Sequence, residues 1–178
     1  MKSPNKMILL VALVCAAPFV SAWVAYYFVK PTGGNSYGEL LPTRPLTPVA
    51  VPGETTPESP KAKWRLVLTL PDACDKPCEE LLYSTRQART MLGRDKDRLQ
   101  RIIVANVKPT TEIATAHPDV IVLPSTPPQM PADWRAQLDR GVLLIDPLGN
   151  QVMLWPRNPD IKKLHTDLAR LLRASRIG

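Results

Sequence analysis

Between Met7 and Val29 the chain carries no charged residue, and Pro18 is the one interruption in an apolar run. Roughly 20 apolar residues cover the ~30 Å hydrocarbon core of a bilayer, so this segment is long enough to span one. Lys2 and Lys6 precede it and Lys30 follows it. By the positive-inside tendency the N-terminus stays in the cytoplasm and the remainder is exported. A cleaved signal peptide is the competing reading, because Val20-Ser21-Ala22 has the small residues of a peptidase site. The apolar run continues past that site through Trp23, Tyr26, Tyr27 and Phe28, whereas a signal peptide ends its apolar region at the cleavage point. The aromatic cluster also suits a membrane–water interface. The expectation is a single uncleaved anchor over 7–29 behind a cytoplasmic tail at 1–6.

A chain of 178 residues then has room for one ordinary domain and a linker. The stretch from Pro31 to Lys63 is rich in proline, threonine and glycine with few large apolar residues. Such a composition buries too little surface to offset chain entropy, which predicts an extended linker over 30–63. Within it, Tyr37 to Leu41 could dock locally on the domain. The net charge is +7, but lysines flank the anchor and the basic residues near Arg94 alternate with Asp95 and Asp97. No basic run is interleaved with aromatics, so nucleic acid is not an expected partner.

From Trp64 onward the pattern is that of a folded domain, expected over 64–178. Trp64, Leu66, Leu68 and Leu70 alternate with Arg65, Val67 and Thr69, which is strand periodicity. A helix is predicted over Pro77 to Leu92, with Glu79 and Glu80 in its first turn. Leu81, Thr85, Ala88 and Leu92 form one face, and Gly93 stops it. Arg101 to Val107 is a β-branched run suited to a strand covered on both faces. An irregular section follows, with short helices at 112–116 and 133–139 and a short strand at 120–123. Val142–Asp146 and Gln151–Trp155 read as strands joined through Pro147-Leu148-Gly149-Asn150. The last helix is expected over Pro159 to Ala174, with Asn158 as its N-cap and a buried stripe of Ile161, Leu164, Leu168 and Leu171. This order describes an α/β, thioredoxin-like sandwich, preceded by one transmembrane helix and a Pro-rich linker.

Cys74 and Cys78 lie in P-D-A-C-D-K-P-C-E-E, where the first strand of the domain hands over to its first helix. Loops at the carboxyl ends of strands are where ligands and chemistry gather in such sheets. At this spacing the two thiols can bond to each other or clasp one soft ion. A helix N-terminus favours thiolate, while Asp75, Glu79 and Glu80 oppose a further negative charge. A purely structural disulfide is the plain alternative, though closing so short a loop removes little unfolded-state entropy. Cys15 lies inside the apolar run and reads as a small membrane residue. No Gly-rich phosphate loop, zinc-type cysteine quartet or serine–histidine arrangement is present.

The stretches W-R-L-V-L-T-L-P-D-A-C-D-K-P-C, G-V-L-L-I-D-P-L-G-N and D-L-A-R-L-L-R-A-S-R-I-G resemble a divergent branch of the Sco/SenC family. That branch accompanies cytochrome c oxidase assembly genes in bacteria, and the similarity covers Tyr37 to Gly178. The resemblance implies delivery of copper to, or reduction of, the cysteines of the oxidase's binuclear copper centre. It also implies a periplasmic domain on the bacterial inner membrane, the copper-bearing oxidase subunit as partner, and Cys74 and Cys78 as the thiol pair. The family's third copper ligand is a histidine expected after Asp146, where this chain has Pro147. Cu(I) suits thiolates, and His117 is the weak substitute ligand from the crossover loop. Met130 and Met153 offer thioether sulfur, with apolar packing as their more ordinary use. His165 reads as structural, and Trp134 and Trp155 as packing or partner contacts rather than cofactor residues. Three functions follow. The first is a thiol–disulfide reductant in oxidase assembly, favoured because the histidine is missing. The second is a Cu(I) chaperone using the same cysteines, and the third a non-catalytic scaffold.

Overall fold

The computed structural model describes residues 4–28, 36–52, 62–106, 109–126 and 130–178, which fall into two units, Met1–Asn35 and Ser36–Gly178. The first holds helix α1, Pro4–Phe28, with Pro18 inside it. Its Lys6–Tyr27 stretch, at mean hydropathy 2.4, is long and apolar enough to cross a membrane. The helix therefore starts inside the tail expected at 1–6, of which residues 1–3 lie outside the described residues, as does Val29 at the far end of the expected span.

The second unit is one six-stranded sheet covered on both faces. Its elements are β1 (Glu39–Pro45), β2 (Trp64–Thr69), α2 (Lys76–Met91), a 3-10 turn at Gly93–Arg98, β3 (Leu99–Ala105), α3 (Thr111–Ala116), β4 (Val120–Pro124), α4 (Ala132–Leu138), β5 (Val142–Ile145), β6 (Asn150–Trp155) and α5 (Ile161–Ala174). The strand order is β1-β6-β5-β2-β3-β4. β2 pairs in parallel with β3, and β3 with β4, while β5, β6 and β1 add on the other side in antiparallel fashion.

The alternation of β2 sorts its side chains between two cores. Trp64, Leu66, Leu68 and Leu70 pack with Leu81, Leu82 and Ala88 of α2 and Leu164, Leu168 and Leu172 of α5. Val67 faces the opposite layer with Ile102, Val104, Leu143, Ile145, Trp134 and Leu138. Met153 is buried in the first core and Met130 in the second, where both pack among apolar side chains. Trp134 and Trp155 are buried packing residues. The hairpin between β5 and β6 turns on Gly149 at φ +87, a left-handed value that a side chain resists. Asp146 closes the turn by accepting from the Leu148 and Asn150 amides.

Four expectations need correction. The segment 30–63 is not a linker throughout. Residues 29–35 and 53–61 lie outside the described residues, but β1 pairs with β6, and Leu41, Leu46, Val51 and Ala62 are buried. A composition argument fails here because an edge strand needs only a few apolar contacts, and edge positions tolerate Pro42 and Pro45. The cap of α5 is Asp160, whose side chain accepts from the Lys163 amide, rather than Asn158. Its buried stripe is Leu164, Asp167, Leu168 and Leu172, with Ile161 and Leu171 only half-buried. The strand expected over Arg101–Val107 starts two residues earlier at Leu99, and Val107 lies outside the described residues.

The carboxylate of Asp167 is the unexpected member of that stripe. It is 3% exposed and accepts from three donors: the amides of Tyr37 (3.3 Å) and Gly38 (2.8 Å) and the indole Nε1 of Trp155 (3.0 Å). This carboxylate ties the chain entering β1 to β6 and α5. Truncation would leave those donors buried without partners, each costing on the order of 1–3 kcal/mol. Asp167→Ala should therefore lower unfolding free energy by about 3 kcal/mol in urea and speed amide exchange at Gly38 ahead of the core of β2. An unchanged Gly38 exchange rate would contradict the latch.

Candidate functional site

β2 ends at Thr69, and the chain turns through residues 70–75 before α2 begins at Lys76. Asp75 is the N-cap of α2, its Oδ1 accepting from the Cys78 amide at 3.1 Å, with Pro77 in the first turn. Aspartate at N-cap and proline beside it are strong helix starts. The signal was in the sequence, but Asp75 was read there only as a charge opposing the thiols. The cap fixes Cys78 in the first turn with Cys74 just outside the helix, and the two are joined as a disulfide, Cα–Cα 5.3 Å. Cys78 is buried against the α2–α5 core, whereas Cys74 is half-buried at its margin. Asp72, Asp75, Lys76, Glu79 and Glu80 are all exposed around them. Asp72 also accepts from the Asn106 side chain at the end of β3, which ties the cysteine loop to the neighbouring strand.

The other candidates lie elsewhere. Register puts Ile145 opposite Arg65 and Leu143 opposite Val67, so the Asp146–Pro147 turn stands beyond the start of β2. Both Trp64 and Pro147 border Gly178 there. The cysteines follow the other end of β2, roughly 20 Å of strand away. A histidine at position 147 could not reach them, so the residue found there says nothing about the cysteine site. The end of β5 nearest the cysteines is its beginning, where Gly141 lies so close to the Trp155 carbonyl that a Cβ would fall 1.9 Å from it.

His117 does not join the cysteines either. It ends α3 just before β4, whose Val120 pairs with Arg101 near the start of β3. Its neighbours are charged: Arg86 donates to the Ala116 carbonyl (2.8 Å), and Arg101, fully buried, pairs with Asp119 at 3.2 Å. Arg101 is further held by the Leu82 carbonyl and the Thr85 hydroxyl. Burial lowers its pKa, against the pull of Asp119. His117 borders a cleft of about 550 Å³ lined mainly by Ile103, Ile113, Val120, Val122 and prolines, and its Nδ1 is buried without a partner. Among the described residues no three His, Cys, Asp or Glu side chains gather to hold a metal ion. Cys15, free and exposed on α1, stands in the other unit. His165 is half-buried on α5.

Burial holds the imidazole of His117 below its ordinary pKa, reinforced by the charges of Arg101 and Arg86 and opposed by Asp119. A base whose folded pKa lies below its unfolded value takes up a proton more readily when unfolded, so it costs stability as pH falls below about 6.5. Above that window the cost is absent. His117→Gln should therefore reduce the loss of urea resistance between about pH 7.5 and about pH 5. Equal losses in variant and parent would refute the assignment.

Comparison with known proteins agrees with this architecture. The copper-bound ScoI of Arabidopsis thaliana superposes with a TM-score of 0.55 at 15% identity, covering 79% of this chain and 100% of that one. Apo Sco1 of Thermus thermophilus gives 0.55 at 19% identity, covering 79% and 96%. Copper-bound yeast Sco1 gives 0.54 at 15%, covering 68% and 82%. At these identities the likeness is one of fold. No curated protein matches the sequence. The family model for the "transmembrane-like, thioredoxin-like, C-terminal domain" matches residues 64–175, from the first residue of β2 to just past α5, and the chain belongs to that family.

Proposed function

We propose that the protein is a membrane-anchored thiol–disulfide reductant that serves the assembly of a haem-copper oxidase, with Cys74 and Cys78 as its redox pair. The observation that carries this reading is the asymmetry of the pair. One sulfur stands at the margin of the domain and the other is buried in the first turn of α2, within bonding distance of it. An attacking thiol must meet a partner, while a resolving thiol need only meet the attacker.

In the reduced protein the Cys74 thiolate attacks one sulfur of the partner's disulfide, and the partner's other sulfur leaves as thiolate. The Cys78 thiolate then attacks the Cys74 sulfur, breaking the mixed disulfide and releasing the second partner thiolate. Two electrons have passed to the partner, and the chain is left with the Cys74–Cys78 bond. A dithiol reductant of the same compartment must restore the pair. The partner disulfide is that of the copper-binding cysteines in the oxidase subunit, the target implied by resemblance to the Sco/SenC family. The bacterial inner membrane holds α1, and the domain stands in the periplasm.

The second reading is Cu(I) carriage. Its support is that two structural relatives hold copper and that two adjacent thiolates form a soft two-sulfur site once reduced. The lack of a third donor beside them among the described residues favours the reductant. A non-catalytic scaffold would use neither sulfur.

The test uses the reduced full-length protein in detergent with a disulfide-bridged peptide spanning two closely spaced cysteines. Cys74→Ser should slow peptide reduction by about 100-fold or more, whereas Cys78→Ser should accumulate a mixed disulfide at Cys74. Against a Cu(I) chelator the reduced protein should withdraw little metal. Retained reduction in Cys74→Ser would overturn the assignment of the attacking thiol. Tight copper capture without peptide reduction would replace the reductant by the carrier, and full oxidase assembly with both cysteines changed to serine would leave only the scaffold.

A further inference from the structure

The outward face of α5 carries a run of basic residues. Lys162, Lys163, Arg170 and Arg173 are exposed along it, separated by Thr166 and Ala169. The single acid in the helix, Asp167, is buried at the edge of that face, its carboxylate taken up by Tyr37, Gly38 and Trp155. On an α-helix Lys162 and Arg173 fall on one stripe with Thr166 and Ala169, and Lys163 and Arg170 on the row beside it, so the four cations lie within about a 100° arc. The 3-10 turn at Gly93–Arg98 differs, since its basic residues alternate with Asp95 and Asp97.

The same helix receives the chain where it enters the domain. Tyr37 and Gly38 donate to Asp167 on α5. The Tyr37 hydroxyl accepts from the Asp160 amide, and Lys163 Nζ lies 5.3 Å from the centre of the Tyr37 ring. Only seven residues, 29–35, separate the end of α1 from Ser36. Fully extended, such a tether reaches no more than about 25 Å. Had the whole of 30–63 been linker, the domain could roam far from the bilayer. Because β1 belongs to the domain, it cannot.

We propose that the basic face of α5 is a docking surface for anionic phospholipid headgroups, which seats the domain on the membrane that holds α1. The inference rests on the reading of α1 as an anchor. Basic residues within a Debye length of an anionic membrane surface are attracted to it. The tether confines α5 to that neighbourhood, so even a weak attraction is populated. Phospholipid is the occupant favoured over an acidic protein because Tyr37 and Gly38, at the root of the tether, pack against the helix that carries the cations.

The test uses the full chain in lipid nanodiscs, made of phosphatidylcholine alone or mixed with phosphatidylglycerol. A water-soluble amine reagent labels lysines, read by mass spectrometry, with Lys76 and Lys96 as internal references. In the anionic discs Lys162 should label several-fold more slowly relative to the references, and high salt should remove the difference. Lys163→Glu combined with Arg173→Glu should abolish the slowing while leaving disc incorporation intact. Equal Lys162 labelling in the two discs, or slowing that salt does not reverse, overturns the docking surface but leaves the anchor. Failure of the protein to stay with phosphatidylcholine discs overturns the anchor and the docking surface together.

Discussion

The parallel pairing of β2 with β3 is the constraint on which the rest of the domain depends. Two parallel neighbours cannot be joined by a hairpin, so the chain must cross one face of the sheet between them. Here α2 makes that crossing, and its apolar face of Leu81, Leu82, Thr85 and Ala88 closes over Leu66 and Leu68. The strand-to-helix junction then falls at the open end of the sheet, where backbone groups turn outward. Cys74 and Cys78 occupy that junction because of the connection, not because of local sequence alone. Antiparallel addition of β5 and β6 on the other edge sends the hairpin turn to the opposite end. The same pairing thus builds the cysteine site and removes position 147 from it.

Two buried charged groups fix what hydrophobic packing leaves loose. Arg101 is enclosed between β3 and α2, and its guanidinium is shared by Asp119, the Leu82 carbonyl and the Thr85 hydroxyl. It therefore sets the height of α2 against β3 and the start of β4 at once. Asp167 does the equivalent for α5, β6 and the chain entering β1. A buried ion held by several partners specifies an arrangement more than it adds stability; the Nε of Arg101 is left without one, and each of these ions joins three segments distant in sequence.

The strands and helices from Trp64 onward were legible because their apolar residues follow the periods of two and 3.6 closely. Trp64 to Leu70, Leu81 to Leu92 and Gln151 to Trp155 needed no tertiary knowledge. β1 was not legible, because Leu41 and Leu46 are sparse among prolines and acquire meaning only from β6 alongside them. Nor was Asp167, which looks like any polar residue of an amphipathic helix until its three donors are placed around it. The thiol pair was visible as a motif. The separation of His117 and Pro147 from it was not, since it depends on strand direction, which spacing in the chain does not encode.

The charges around the cysteines bear on the direction of electron flow. The N-terminus of α2 stabilises a thiolate nearby, and that alone would favour the reduced pair, as in strongly oxidising proteins of this kind of chemistry. Asp72, Asp75, Glu79 and Glu80 act against it, with Lys76 the single cation among them. Asp75 moreover spends its side chain on the Cys78 amide, so part of the helix field is already met by a carboxylate. A site in which negative charge disfavours thiolate gives up electrons more readily and settles as the disulfide. The proposed reductant requires that the carboxylates outweigh the helix N-terminus in this balance. The same carboxylates repel anionic headgroups while the outer face of α5 attracts them.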